Sequence, residues 1–341
     1  MSCQRWDFVI SFLYMADKTF FFDQVQEFTE TYLSRRRRIR RLKRERQKKK
    51  NPLLDWIEAF LWAAGVVLLI NQYLLQAYQI PSGSMIDTLL IGDRIFVNKI
   101  LYGPELLPGL GKVPSPIKPK RNDIIIFENP SYISRGPAFD IAQRIIYMLT
   151  LSFVDIDRDE AGEPKAHFLI KRAVGVAGDR FIMDKGEFRI RFAGEDRWVT
   201  EREYAAARNF NYHISRLMEP SDYPSLAAAG KFTAYTNLGL TPPEHLSAAA
   251  AARDWSYPDY LYHEQCRLEL LRAAHPEDER YGLALARYIQ GWYIPEGRIF
   301  PLGDNRDNSR DGRYFNPVRL SKVLGKGSVI YWPLRRIGLI R

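Results

Sequence analysis

Ile80-Pro81-Ser82-Gly83-Ser84-Met85 stands at the far end of a stretch, Ala59 to Ile86, that contains no charged residue. It sets two hydroxyls around a glycine where an apolar segment gives way to ordinary charged chain. Ala59 to Tyr78 is 20 residues long, and a helix of about 20 residues spans the ~30 Å hydrocarbon layer of a bilayer. The purely apolar part is Ala59 to Ile70, and Asn71, Gln72, Gln76 and Gln79 dilute the far end. Trp56, Trp62, Tyr73 and Tyr78 bring aromatic rings near both proposed interfaces, as an aromatic belt requires. A buried helix of a soluble protein is the bland alternative. A cleaved signal peptide fits poorly, because a long segment precedes the stretch and no Ala-x-Ala site follows it. The expectation is a transmembrane helix over 53–78.

Ahead of it, Arg35 to Lys50 holds 12 Lys/Arg and one acidic residue, Glu45, a local +11. The chain as a whole carries +10, so the rest of it is at −1. The basic character is therefore one segment and not a general nucleic-acid-binding surface. The run has three readings: a solvated charge run, a nucleic-acid tail, or a cytoplasmic flank of the span that holds anionic lipid headgroups. Its position directly before the apolar segment favours the third. Residues 1–52 then lie in the cytoplasm and everything after about Tyr78 outside. Phe8 to Ala16 is too short to span, since Asp17 and Lys18 interrupt it, and reads as a short packed or interfacial helix.

With 46% hydrophobic and 26% charged residues, the 341-residue chain has the composition of a folding protein. Cys3 and Cys266 make no disulfide framework or metal spacing, and the membrane is expected to separate them. His167, His213, His245, His263 and His275 form no cluster. No metal or other cofactor is expected.

After the span the chain reads as mainly β. Arg94–Val97, Asp123–Phe127, Phe168–Val174, Arg180–Met183, Glu187–Phe192 and Ser328–Trp332 are short apolar or alternating runs separated by Gly, Pro, Asn and Asp. Pro104 to Pro119 is a loop. Between about 200 and 293 the character changes: Glu201–Met218, Leu246–Trp255 and Tyr260–Ala274 have helical composition. The strand pattern resumes at Tyr293-Ile294-Pro295. This region reads as a helical insertion in a surface connection, where added length costs little closure entropy, with a docking or lid element as the alternative, and it is expected to be dispensable for chemistry.

A serine is a poor nucleophile until something removes its proton. With no histidine near a motif, the candidate base is Lys171, in Phe168-Leu169-Ile170-Lys171-Arg172-Ala173-Val174. Lysine works as a base only when neutral, and burial favours the neutral form. Strand alternation puts Leu169, Lys171 and Ala173 on one apolar face. Taken alone, Lys171 is an ordinary solvated lysine and Ser-Gly-Ser only a turn. A third segment shifts the balance: Gly303-Asp304-Asn305-Arg306-Asp307-Asn308-Ser309-Arg310-Asp311-Gly312-Arg313-Tyr314. Such carboxylates, guanidiniums and amides suit a hydrogen-bonded loop beside a site. A calcium loop is the alternative, but the EF-hand order is absent and arginines sit among the carboxylates.

The sequence resembles bacterial type I signal peptidase (leader peptidase), a Ser/Lys-dyad serine protease family. Four blocks carry the resemblance, in order: Pro81–Met85 with Thr88-Leu89; Gly92-Asp93 with Val97 and Lys99; Lys171–Gly175 with Gly178-Asp179; and Gly303–Ser309 with Asp311 and Arg313. The resemblance implies a membrane-bound endopeptidase that cuts signal peptides from exported preproteins after small-x-small motifs. It implies Ser84 as nucleophile and Lys171 as general base. The Ser82 hydroxyl and the Ser84 amide would form the oxyanion hole. Ser309 would orient the Lys171 amine, with Asp304, Arg306, Asp311 and Arg313 holding their loop in shape. The implied fold is a β-sheet catalytic domain over 79–341, outside the cytoplasmic membrane, with a helical insertion and one N-terminal transmembrane helix. By position, the walls that restrict substrate side chains would come from Ile80, Met85, Leu89, Leu169 and Ile170.

Asp87 departs from the family pattern, which usually has proline before Thr88. It puts a carboxylate three residues after Ser84 and bears on the neutrality of Lys171. Two other function classes are open. An autocleaving repressor would need a soluble DNA-binding domain in place of the basic run and apolar segment. A non-enzymatic membrane-anchored protein would have no use for Ser84, Lys171 and Ser309.

Overall fold

The computed structural model of the chain describes residues 25–42, 52–106, 111–160, 162, 164–185, 187–208, 210, 213–251 and 260–340. The expectations for Cys3, for Phe8–Ala16 and for residues 43–50 of the basic run lie outside the described residues. The chain divides into two compact units, residues 1–65 and 66–341. In the first, helix α1 covers 25–42 with every residue exposed, and carries Arg35–Arg38, Arg40 and Arg41.

Helix α2 runs Pro52–Tyr73, and its Leu53–Tyr73 portion is long and apolar enough to cross a membrane. Proline opens it, where a missing N–H costs nothing, and Asp55 in the first turn suits the helix dipole. The helix ends five residues short of the expected Tyr78: Leu75–Gln79 is strand β1. The polar residues that dilute the end of the apolar stretch explain the change. Asn71, 3% exposed, donates to Val67 O and accepts from Ala77 N, tying helix end to strand start. Gln76 accepts from the buried Lys99 Nζ at 2.9 Å.

The remaining strands are β2 (Arg94–Asn98), β3 (Ile124–Glu128), β4 (Phe168–Gly175), β5 (Arg180–Asp184), β6 (Glu187–Arg191), β7 (Trp198–Thr200), β8 (Trp292–Tyr293), β9 (Arg298–Leu302), β10 (Val318–Arg319), β11 (Val323–Trp332) and β12 (Gly338–Leu339). The larger sheet runs β1-β2-β11-β3-β4-β9-β10, with β12 on β11, and the smaller β7-β6-β5-β8. The expected strands are present within a residue or two, except that Ser328–Trp332 is only the second half of β11. Strand pairing is antiparallel throughout the named strands. One apolar cluster, with Ile80, Met85, Leu89, Ile95, Ile126 and Ile170, fills the side beneath the Ser84 turn. A second, with Ile125, Phe127, Ala173 and Ile299, covers the other face of β3 and β4. A third, around Phe181, Trp292 and Phe300, joins the two sheets.

Helix α3 (Pro137–Leu149), between β3 and β4, is not foreseen by the sequence reading. Its amphipathic period lies among prolines, glycines and acidic residues, in a stretch to which the sequence pattern assigns no element. It is pinned by Arg144 to Glu105 (2.8 Å) and by Gln79 N donating to the Tyr147 hydroxyl (3.2 Å). The insertion is helical as expected, with α4 (Glu201–Ala207), α5 (Tyr223–Asn237), α6 (Glu244–Ala251), α7 (Tyr260–Ala274) and α8 (Glu279–Gln290). Glu201–Met218, however, is helix only to Ala207. A capping box formed by Thr200 and Glu203 starts α4. Helices α5 and α7 approach closely at Gly230, where a Cβ would lie 2.4 Å from His263 O.

Candidate active site

Pro81 leads into a single 3₁₀ turn, Gly83–Met85, with Ser82 as its extended N-cap residue. Met85 and Leu89, fully buried in the first cluster, anchor the turn from below. Strand β4 delivers Lys171, paired in register with Ile125 of β3. Ala173 and the partly buried Leu169, at alternate positions to Lys171, pack on the second cluster, while Ile170 packs on the first. The two hydroxyl-and-amine groups meet: Lys171 Nζ lies 2.7 Å from Ser84 Oγ, with both residues buried. Its other partner is Ile170 O at 3.0 Å. Burial pushes the amine down to about 8, against the upward pull of Asp311 and Asp304. Ser82 Oγ is 3.4 Å from Ser84 Oγ, on the exposed side of the turn.

The 303–313 loop wraps the other side. Asp304 is fully buried and takes two bonds from Arg172, 2.8 and 2.7 Å, and one from Thr88 Oγ1, 2.6 Å. Asn305 holds the backbone of the Ser84 turn: its N–H donates to Ser84 O and its side-chain amide to Gly83 O, both at 3.1 Å. Asp311 receives Arg313 at 2.8 and 2.9 Å and Gly303 N at 3.0 Å. Burial alone raises the Asp311 carboxyl, but Arg313 and the Gly303 amide outweigh it and hold it below the usual range. Arg306 pairs with Glu201 of α4 and donates to Gly303 O. Asp307 pairs with Arg216. Every aspartate of the loop thus has a guanidinium partner, which leaves little uncompensated negative charge to attract a cation.

Gly303 has to be glycine. A Cβ there would lie 2.2 Å from Ser309 Oγ and 2.5 Å from Ser84 O. Ser309 is buried beside it, but its hydroxyl makes no hydrogen bond among the described residues and so is not bonded to the Lys171 amine. Of the five expected wall residues, Ile80, Met85, Leu89 and Ile170 share one cluster and Leu169 packs on the opposite one. Asp87 turns away: its carboxylate is 62% exposed and pairs with His213 Nδ1 at 2.9 Å. Arg172, Asn305 and Thr88 are the residues whose work sequence reasoning missed. They lie inside the quoted blocks, but nothing local says that an arginine and an aspartate 132 positions apart form a buried pair.

The insertion is not a separable decoration at its inner ends. Glu201, Arg216, the 215–218 backbone and Arg287, which donates to Arg313 O and Tyr314 O, all bond the 303–314 segment. Sequence composition could not show this, because backbone donors leave no signature in side-chain pattern.

A model of the family described as signal peptidase, peptidase S26, matches residues 53–332. The chain is 28% identical over 298 residues to signal peptidase I of Pseudomonas aeruginosa, covering 83% of this chain and 75% of that one. It is 24% identical over 295 residues to signal peptidase I of Haemophilus influenzae, with 83% and 70% covered. To that of Aquifex aeolicus it is 26% identical over 276 residues, with 81% and 82% covered.

Proposed function

Because the chain belongs to the signal peptidase family, peptidase S26, we propose that it is a membrane-anchored serine endopeptidase that removes signal peptides from exported preproteins with a Ser84/Lys171 dyad. The observation that carries the reading is the 2.7 Å approach of Lys171 Nζ to Ser84 Oγ in a buried setting. Neutral Lys171 takes the Ser84 proton as Oγ attacks the scissile carbonyl. The oxyanion forms against the Ser82 hydroxyl and the Ser84 amide, which lies in the first turn of a short helix where amides lack helical partners. One such donor is typically worth ~3 kcal/mol of barrier. The Lys171 ammonium then protonates the leaving amine, and the acyl-enzyme ester remains on Ser84. Lys171, neutral again, takes a proton from water as that water attacks the ester, and returns it to Ser84 Oγ.

The loop residues Asp304, Arg306, Asp311 and Arg313 keep Ser84 and Lys171 in register. The buried, unbonded Ser309 hydroxyl is in our reading the group that steadies the amine during turnover. Ile80, Met85, Leu89, Leu169 and Ile170 are the proposed source of the small apolar walls that select small-x-small sites. Helix α2 is the proposed single span. The N-terminus lies in the cytoplasm, with Arg35–Lys50 on anionic headgroups, and the catalytic domain lies outside.

The test is cleavage of a purified preprotein by the full chain in detergent. Wild type should release the mature protein at one site after a small-x-small motif, and Ser84→Ala should not. Undiminished cleavage by Ser84→Ala would overturn the dyad. No cleavage of any preprotein by folded wild type would overturn the substrate class.

A further inference from the structure

Asp304 and Asp307 both take their side-chain partners from outside the loop, Asp304 from Arg172 and Thr88 and Asp307 from the 200–293 insertion. Asp311 pairs within the loop, to Arg313 and Gly303. The Asp307 carboxylate, 4% exposed, gives a single oxygen, Oδ2, to three donors of one short segment: Arg216 Nε at 2.9 Å, Leu217 N at 2.7 Å and Met218 N at 3.0 Å. Just upstream, Ser215 runs parallel to Asn305. Ser215 N donates to Asp304 O and Arg306 N to Ser215 O, both at 3.0 Å. These bonds flank Asn305 on one side and leave its own N–H and side-chain amide for Ser84 O and Gly83 O on the other. The order across the site is therefore segment 215–218, then loop 304–306, then the nucleophile turn.

We propose that residues 215–218 are a strap that positions the Ser84 turn through Asn305, and that Asp307 is the positioning residue that fastens it. The inference rests on the reading of Ser84 as nucleophile. It assigns the 200–293 insertion a part in catalysis that its helices do not suggest. A surface decoration would need no buried carboxylate and no main-chain pairing to a catalytic loop; a loop rigid by itself would need no donors from outside. The strap touches no reacting atom, so its effect belongs to kcat: a misplacement of about 1 Å at a reacting centre costs on the order of 100-fold in rate. Substrate affinity, set elsewhere, should hardly move.

The test uses the full chain in detergent, with kcat and KM on a purified preprotein measured well below each variant's melting temperature. Asp307→Ala should lower kcat at least about tenfold with KM within about twofold, and Arg216→Ala should do the same to a smaller degree. Asp307→Glu should recover most of the loss, because the carboxylate can still meet the strap. Leu271→Ala, which opens the α7 core, should lower the melting temperature and leave kcat within about twofold. If Asp307→Ala does not fold, the Arg216→Ala value decides. The strap is overturned if Arg216→Ala and Asp307→Ala keep wild-type kcat, or if Leu271→Ala lowers kcat as much as they do. Ser84→Ala is assayed alongside: continued cleavage there removes the nucleophile reading and the strap's target with it, a result distinct from a strap that proves idle.

Discussion

Arg172 and Asp304 meet through two parallel hydrogen bonds, Nε to Oδ1 at 2.8 Å and Nη2 to Oδ2 at 2.7 Å, with both side chains fully buried. The pair joins β4, which carries Lys171, to the loop whose Asn305 holds the Ser84 backbone. Removing one partner of a buried pair leaves an uncompensated charge and costs about 3–5 kcal/mol. Arg172→Met should therefore lower unfolding stability by that order in urea titrations and cut kcat. A variant within about 1 kcal/mol of wild type would show that the pair is not what joins strand and loop.

The second expectation concerns pH. Burial pushes Lys171 down to about 8, and only its neutral form accepts a proton. The kcat/KM profile should rise with pH and level off above an apparent pKa near 8, with activity lost as the amine protonates on the acid side. Lys99, buried on the β1–β2 side and pushed down to about 7 by burial, is a second candidate for such a limb. Lys99→Met should leave the limb where it is, while Lys171→Arg should be inactive at every pH, since guanidinium keeps its proton. A limb that disappears with Lys99→Met would assign the profile to the wrong lysine.

Asp87 offers a sharper check on the same amine. It pairs with His213 in solvent, whereas the charges that act on Lys171 are Asp311, Asp304 and Arg313. Asp87→Asn should leave the acidic limb unmoved. A displacement of one unit or more, about 1.4 kcal/mol of charge interaction, would place the Asp87 carboxylate close to the amine during turnover.

Gly303→Ala tests the packing between the loop and the Ser84 turn. The added methyl collides with the Ser309 side chain and with Ser84 O at once, and Ser84 O belongs to the backbone that has to stay in place. Displacement of that turn should reduce kcat by about 100-fold or more. Preprotein cleavage by the folded variant measures it; a loss of less than about threefold would mean that the turn gives way without consequence.

Membrane topology is open to protease protection. Protease added to intact spheroplasts should degrade the domain that follows α2 and spare residues 1–50, as the basic run before the span requires. The reverse pattern would invert the orientation.

What the amino-acid sequence determined was whatever a local pattern carries. The uncharged run set α2, alternation and turn residues set the strands, and four short blocks held Ser84, Lys171 and the 303–313 loop. Periodicity and punctuation are properties of neighbours in the chain, so they survive without the fold. Tertiary structure decided what depends on partners. Helix α2 stops at Tyr73, where Asn71 bonds Ala77 of β1 and Gln76 of β1 bonds Lys99 just past β2. Amphipathic α3, in a stretch without an expected element, is held by Arg144 to Glu105 and by Tyr147 to Gln79. Ser84 and Lys171, 87 positions apart, come within 2.7 Å only once β4 is in register with β3 and the turn is seated on Met85 and Leu89. The lowered Lys171 pKa follows from that burial, which no window of sequence contains. The bonds from 215–218 to the loop are mostly made by main-chain groups, identical in every residue type, so only the folded chain shows them.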